Sequence, residues 1–242
     1  ESKTTSFILK QIADSGQCFR MNLIENNKYS LIAYGRYLEL NQIAEDTVEL
    51  SCEEAEYNLI WKEYFDMNYD YDAIVQSLKS GSDDFLKSAA EYGSGIRILQ
   101  QEPFEAMISF IISQNKNIPA IKNCIEAISK RYGERRNSEV CDGAEYYTFP
   151  AAEVLSKANK EALRELKTGY RDEYIIREAQ AVADGTVVFE ELKKSSYDEI
   201  KKALKCIHGV GEKVANCITL YGLHRVEVFP VEQNDGIRRR GK

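Results

Sequence analysis

Two patterns of apolar residues divide this chain. Between residues 17 and 52, four short runs are rich in β-branched, aromatic and aliphatic side chains, at 18–24, 29–34, 37–40 and 48–51. Asn26-Asn27, Gly35-Arg36 and Glu45-Asp46 punctuate them, which predicts an antiparallel sheet joined by tight turns. From about residue 53 the pattern is helical, most clearly over 53–65, 71–78, 83–92, 103–114, 119–132 and 171–184. The run Met107-Ile108-Ser109-Phe110-Ile111-Ile112 is apolar nearly all round and marks the central helix of a bundle. Residues 134 to 146, with Arg135-Arg136-Asn137-Ser138 and Asp142-Gly143, read as an exposed loop. A sheet followed by helices predicts an α+β fold. Its N-terminal antiparallel sheet with flanking helices spans 1–95, and a helical domain spans 96–242.

The most informative stretch lies in the second part. Ser196 and Glu199 have capping-box spacing, so a helix begins there. Its apolar residues Ile200, Ala203, Leu204 and Ile207 follow the i, i+3, i+4, i+7 rule. Gly209 and Gly211 bracket Val210 in a tight turn that glycines make cheaply. A second helix follows, with Val214, Cys217, Ile218 and Tyr221 on its apolar stripe, and stops at Gly222. Helix, hairpin and helix together occupy 196–222. Such a hairpin points the N–H groups of the second helix's first turn at solvent, where they can hold a DNA phosphate without a basic side chain. Gly-x-Gly alone fits a simple packing unit better. Lys213 shifts that balance. It stands in the first turn at the edge of the apolar stripe, where the helix dipole and partial burial both disfavour an ammonium ion. That makes it a candidate nucleophile; the alternative is a solvated lysine pairing with Glu212 or a phosphate.

Composition changes the picture only in places. With 242 residues there is ample core for two modest domains or one large one. The formal net charge of −7 speaks against a DNA binder at first sight. Residues 196 to 242, however, hold nine Lys/Arg against six Asp/Glu, or +3, leaving −10 for the remainder. Binding through backbone N–H groups needs less positive charge and predicts a shallow salt dependence. Cys18, Cys52, Cys124, Cys141, Cys206 and Cys217 include no C-x-x-C pair, which excludes a zinc ribbon or an iron–sulfur loop of that spacing. No apolar run approaches 18 residues, so a cytoplasmic protein with reduced thiols and no membrane partner is expected.

Gly209 to Ile218 fits the pattern Gly-Val-Gly-x-Lys-Val-Ala-x-Cys-Ile, followed later by Pro230-Val231. On these residues the chain resembles the helix–hairpin–helix DNA glycosylases, and most closely the 8-oxoguanine DNA glycosylases with lyase activity. The resemblance extends over nearly the whole chain. It implies that Lys213 attacks the sugar C1′, expels the damaged base and forms a Schiff base that then eliminates the 3′ phosphate. It makes Cys217 a wall of the base pocket. Ser15-Gly16-Gln17-Cys18-Phe19-Arg20 matches the family's Ser-Gly-Gln-x-Phe-Arg, and implies that the Gly16 carbonyl faces N7 of the base. 8-Oxoguanine carries a hydrogen on N7 where guanine has a lone pair, and a buried mismatch there costs roughly 1–3 kcal/mol. Without the family, Ser-Gly-Gln is a turn entering a strand. Ser113-Gln114-Asn115-Lys116-Asn117-Ile118 resembles Ser-x-Asn-x-Asn-Ile, which implies that Asn115 fills the gap left in the duplex. Its plainer reading is a polar cap between helices. Gly169-Tyr170-Arg171 also matches, with Tyr170 wedged beside the orphaned base and Arg171 bonding it. Gly209, Val210 and Gly211 would hold the DNA backbone. The resemblance further suggests a monovalent cation on the carbonyls of Lys205, Ile207 and Val210, with no cofactor required.

Four departures stand out. Proline is usual before the first glycine, and His208 stands there. The family's aspartate should follow Pro230-Val231, but Glu232-Gln233-Asn234-Asp235-Gly236 does, and a family-like Ile237-Arg238-Arg239 comes about two residues late. Glu232, or else Asp235, is then the acidic partner of Lys213, and a carboxylate one methylene too long predicts weakened activity. The arginine that reads an opposite cytosine in the animal enzymes is replaced by Ala120. The family's aromatic pocket wall would lie beyond Lys242. The expectation is a monomeric 8-oxoguanine glycosylase/lyase acting on double-stranded DNA. Its rivals are a monofunctional alkylbase glycosylase and a non-catalytic protein that binds damaged DNA.

Overall fold

The computed structural model describes residues 6–230, together with the backbone of a two-residue strand, β1, at Ser2–Lys3. Four more strands follow: β2 at Met21–Glu25, β3 at Lys28–Ala33, β4 at Arg36–Ala44 and β5 at Thr47–Leu50. They form one antiparallel sheet in the order β1-β5-β4-β3-β2. β2 starts three residues later than expected because Cys18, Phe19 and Arg20 are drawn into the interior before the ladder begins. β4 runs past residue 40 because β5 pairs with its far end, Gln42 opposite Val48 and Ala44 opposite Thr47. Tyr34 and Gly35 make the β3–β4 turn with φ of 51° and 65°, the left-handed pair a two-residue hairpin favours.

Burial along β3 alternates, with Tyr29, Leu31 and Ala33 inside. That face packs on Leu9 and Ile12 of the short helix Leu9–Asp14 and on Trp61 and Tyr64 of the helical segment 54–64, with Phe65 just after it. A second core surrounds the helix Pro103–Ser113, whose residues 106–112 are all buried as its apolar run predicts. The helices Ile118–Tyr132, Asp172–Ala183, Tyr197–Cys206 and Glu212–Cys217 enclose it, and a π-type turn, Ile218–Gly222, continues the last of them. The two cores interlock: Phe19 belongs to the helical one, and Leu99 to the sheet's.

One expectation fails in kind. Residues 134 to 146 are not a plain loop but carry a two-stranded hairpin, β6 at Arg135–Asn137 and β7 at Glu145–Tyr147. Its strands are too short to show a period. Contacts from elsewhere hold it: the Arg136 guanidinium and the Tyr146 hydroxyl both donate to the Gly35 carbonyl, at 3.1 and 3.2 Å. The helices Leu9–Asp14, Ala152–Leu155, Lys160–Glu165 and Phe189–Leu192, none above six residues, are likewise too short to show a period. Among the described residues no helix is long and apolar enough to cross a membrane.

Candidate active site

The helix–hairpin–helix forms as its sequence dictates. Ser196 Oγ accepts from the Glu199 N–H, and the Glu199 carboxylate accepts from the Ser196 N–H at 2.8 Å, closing the capping box. The chain then turns through a bond from the Val210 N–H to the Ile207 carbonyl at 3.2 Å, and Val210 is buried in the core. The two glycines play different parts. Gly209 has φ 84°, and a Cβ there would lie 2.5 Å from Cδ2 of Tyr174. Gly211 has φ −79° and ψ 177°, ordinary extended backbone, with nothing within 4 Å of a Cβ. The turn therefore requires only the first glycine, and the expectation that both are needed for its geometry is corrected. Gly211 is exposed and lines a cavity, so a side chain there would take space from a ligand and not from the fold. Glu212 pairs with Lys201 at 2.5 Å and Lys205 at 3.7 Å.

The cavity, about 770 Å³, opens in front of the hairpin and gathers residues from four distant segments. Gly16, Asn115, Tyr170, Gly211, Lys213 and Cys217 all line it. Lys213 is exposed on it, not half-buried, because its place in the helix's first turn faces the opening and not the core. Cys217, one turn further, is buried. Burial pushes its thiol up to about 11 against the opposing pull of the nearby Lys213 charge, so the wall beside the lysine is neutral. Tyr221, a further turn on, is pushed by burial up to about 12 and stacks on Phe110 with ring centroids 5.4 Å apart and 18° between planes. Phe19 meets Phe110 edge-on at 5.6 Å. These residues give the pocket an aromatic face within residues 19–221. Tyr221 was legible as an apolar position on the helix stripe, but nothing in sequence said that its ring turns toward the cavity.

Gly16 is presented by the residues around it. It sits at φ 75° with no atom within 4 Å of a Cβ. Gln17 is buried beside it, donating to the Arg97 carbonyl at 2.8 Å and accepting from the Leu99 N–H at 2.8 Å. At the other end of the motif, Arg20 donates to Glu126 at 3.0 Å and to the Tyr147 carbonyl at 2.6 Å. The motif's polar residues thus serve to fix a turn whose glycine faces the cavity. Glu105 lies in the same region. Burial pushes its carboxyl up to about 8, against the pull of Arg20.

Across the cavity the residues stand on turns. Asn115 is exposed and left-handed, at φ 52°, a conformation that costs a non-glycine residue roughly 1–3 kcal/mol. Tyr170 is 56% exposed in the turn Gly169–Arg171. Arg171 is placed otherwise than expected. It is 4% exposed and does not line the cavity. Its guanidinium covers the Tyr170 ring at 4.4 Å and donates to the carbonyls of Gln114 and Thr168, which draws it inward. Lys205, Ile207, Gly209 and Val210 do not line the cavity; Ile207 and Val210 are buried in the core. Glu232 and Asp235 lie outside the described residues.

Comparison with known proteins agrees with this geometry. The family model for 8-oxoguanine DNA glycosylase, N-terminal domain, matches residues 1–107. The N-glycosylase/DNA lyase of Saccharomyces cerevisiae is 32% identical over 251 aligned positions, covering 93% of this chain and 65% of that protein. The chain spans less than two thirds of the length of the curated relatives it matches. The 8-oxoguanine glycosylase/lyase of Clostridium acetobutylicum, solved with double-stranded DNA containing cytosine opposite 8-oxoG, superposes with a TM-score of 0.87. It is 38% identical, over 94% of this chain and 77% of that one. The protein named MBOgg1, solved with a low-affinity DNA ligand, gives a TM-score of 0.88 at 37% identity, over 96% and 82% of the two chains. The chain belongs to the 8-oxoguanine DNA glycosylase/lyase family of the helix–hairpin–helix superfamily.

Proposed function

We propose that this protein flips 8-oxoguanine out of duplex DNA and excises it through a lysine Schiff base, acting as a monomer that needs no cofactor. The observation that carries the reading is the convergence of Gly16, Cys217 and Lys213 with Asn115 and Tyr170 on one cavity, from segments up to two hundred residues apart. The flipped base enters between Cys217 and the Phe110–Tyr221 pair, and its N7 hydrogen meets the Gly16 carbonyl. Guanine presents a lone pair there and is repelled. Asn115 and Tyr170 fill and wedge the gap, offsetting an extrusion cost of a few kcal/mol.

Chemistry begins when the Lys213 amine bonds to C1′ and the C1′–N9 electron pair leaves with the base, which takes up a proton. Glu232, or Asp235, accepts the proton released by the amine. Opening of the sugar gives the imine. Loss of a C2′ proton then expels the 3′ phosphate, and water releases the lysine. The N–H groups of the second hairpin helix hold the DNA backbone opposite Gly211. The carbonyls of Lys205, Ile207 and Val210 are suited to a monovalent cation, although that of Ile207 already accepts one bond.

A single-turnover assay on duplexes with 8-oxoguanine or guanine at one position tests the reading. Release of 8-oxoguanine but not guanine is expected, with strand cleavage following. A protein that binds both duplexes alike and cuts neither would sink it. Glu232→Asp, which restores the family's carboxylate length, should raise the rate of the parent.

A further inference from the structure

Three segments beside the cavity are far apart in sequence: the loop 114–117, the turn Gly169–Arg171 and the hairpin at Gly209. Gln114 bonds to both of the others. Its side-chain amide donates to the Gly209 carbonyl at 2.9 Å, and its backbone carbonyl accepts from the Arg171 guanidinium. Gly209 is held in place by its neighbour Val210, which is buried in the core, and lies close under the Tyr174 ring. Arg171 is equally confined, buried over Tyr170 and tied to Thr168. Gln114 is therefore anchored on two sides, while its neighbour Asn115 is exposed and left-handed. A second tie closes the loop, the Lys116 ammonium donating to the Lys167 carbonyl. The strained Asn115 is held out by its neighbours' bonds to the hairpin and the turn.

We infer that Gln114 is a positioning residue that couples the hairpin's grip on the phosphate to the insertion of Asn115 into the duplex. When the hairpin seats on the backbone, the Gln114–Gly209 bond carries the 114–117 loop with it. Asn115 then arrives at the gap already in its inserted conformation. Gln114 lines the cavity, but its side-chain amide is taken up by the Gly209 carbonyl and it acts through Asn115. The inference rests on the proposed function only in that Asn115 occupies a gap left by a missing base. Energetic coupling between neighbouring residues shows as non-additivity in a double-mutant cycle, and this sets the test.

Binding is measured at fixed salt on an intact duplex and on one carrying a tetrahydrofuran abasic site, whose gap exists whatever base the protein removes. Gln114→Met keeps the length and loses the donor. It should weaken abasic-site binding about tenfold, the scale of one hydrogen bond with its orphaned partner, and leave intact-duplex binding within about twofold. Gln114→Glu, which cannot donate to Gly209, should match it. The double variant Gln114→Met with Asn115→Ala should bind the abasic duplex no more weakly than Asn115→Ala alone, because Gln114 acts through Asn115. Losses that add, to roughly a hundredfold together, would overturn the inference. So would an equal loss on both duplexes, or a parent with no preference for the gap. A parent that prefers the abasic duplex but ignores 8-oxoguanine would count against the proposed function and leave the coupling standing.

Discussion

The two walls of the cavity are built by different means. On the side of Lys213, Cys217, Phe110 and Tyr221, side chains project from helices whose opposite faces are the helical core itself. On the side of Asn115 and Tyr170, short turns with left-handed residues at 115 and 167 are held by hydrogen bonds to carbonyls. Core packing fixes a position to a fraction of an ångström and resists change. Turns tied by hydrogen bonds are held without being packed, and move with the element they are tied to. The first kind of wall suits bond making, where small misplacements are expensive, and the second suits an insertion into DNA. Gly209 joins the two, as both the apex of the packed hairpin and the acceptor for Gln114.

That contrast can be broken most severely at Gly209. Gly209→Ala places a Cβ into the Tyr174 ring at a positive φ and should cost about 2–4 kcal/mol of stability, read by denaturant unfolding. DNA binding should fall with it on damaged and undamaged duplexes alike, since the hairpin contact carries no sequence information. A variant as stable as the parent would show that the hairpin is not part of the packed wall.

Next in size is Glu105, in the first turn of the helix Pro103–Ser113. Burial pushes its carboxyl up to about 8 from the ordinary 4.5. Below about pH 4.5 both states are neutral and stability is whole. As pH rises toward 8 only the unfolded chain ionises, so stability falls by up to about 1.4 kcal/mol per unit. Glu105→Gln should remove that slope, becoming more stable relative to the parent at pH 8 than at pH 5 in parallel unfolding curves. A constant difference between the curves would show that the carboxyl ionises freely in the fold.

The sequence was most legible where a pattern repeats or a cap is local. The capping box at Ser196 and Glu199, the alternation of β3 and the all-round apolar helix at 106–112 all follow from neighbours within a few positions. The candidate residues at 16, 115, 170, 213 and 217 came from motif resemblance, and only the fold shows them on one cavity. What sequence could not show depends on distant partners. The resemblance makes Arg171 a partner of the orphaned base, yet the Tyr170 ring and the Gln114 carbonyl draw it inside. Gly211 looks like its neighbour two residues earlier, but its φ is ordinary. The β6–β7 hairpin exists because Arg136 and Tyr146 reach Gly35, a hundred residues away. Gln114 fills an unspecified position of its motif, and its link to Gly209 crosses 95 residues.

The reading wall yields a smaller effect. Ala120, half-buried in the first turn of the helix Ile118–Tyr132, offers no side-chain donor to an opposite base. 8-Oxoguanine opposite cytosine and opposite adenine should therefore bind within about tenfold of each other, because one good polar discrimination of roughly 1–3 kcal/mol is missing. A titration at fixed salt decides it. A preference for cytosine beyond a hundredfold would mean that another residue of this wall has taken over the reading. Smallest is Gly211→Ala. With no left-handed φ and no atom near its Cβ, it should leave stability within about 0.5 kcal/mol of the parent. DNA binding should weaken a few-fold through crowding at the backbone contact, and an unchanged affinity would place the phosphate elsewhere.

The central claim is that the packed wall makes a covalent bond to the sugar through Lys213 while the rest of the cavity only holds DNA. Borohydride trapping on an 8-oxoguanine duplex tests it most directly, with parent and Lys213→Gln side by side and duplex affinity measured for both. The parent should give a covalent protein–DNA adduct, and Lys213→Gln none, while still binding the duplex within a few-fold of the parent. An adduct that survives the substitution, or a parent that excises the base without ever being trapped, would contradict the account.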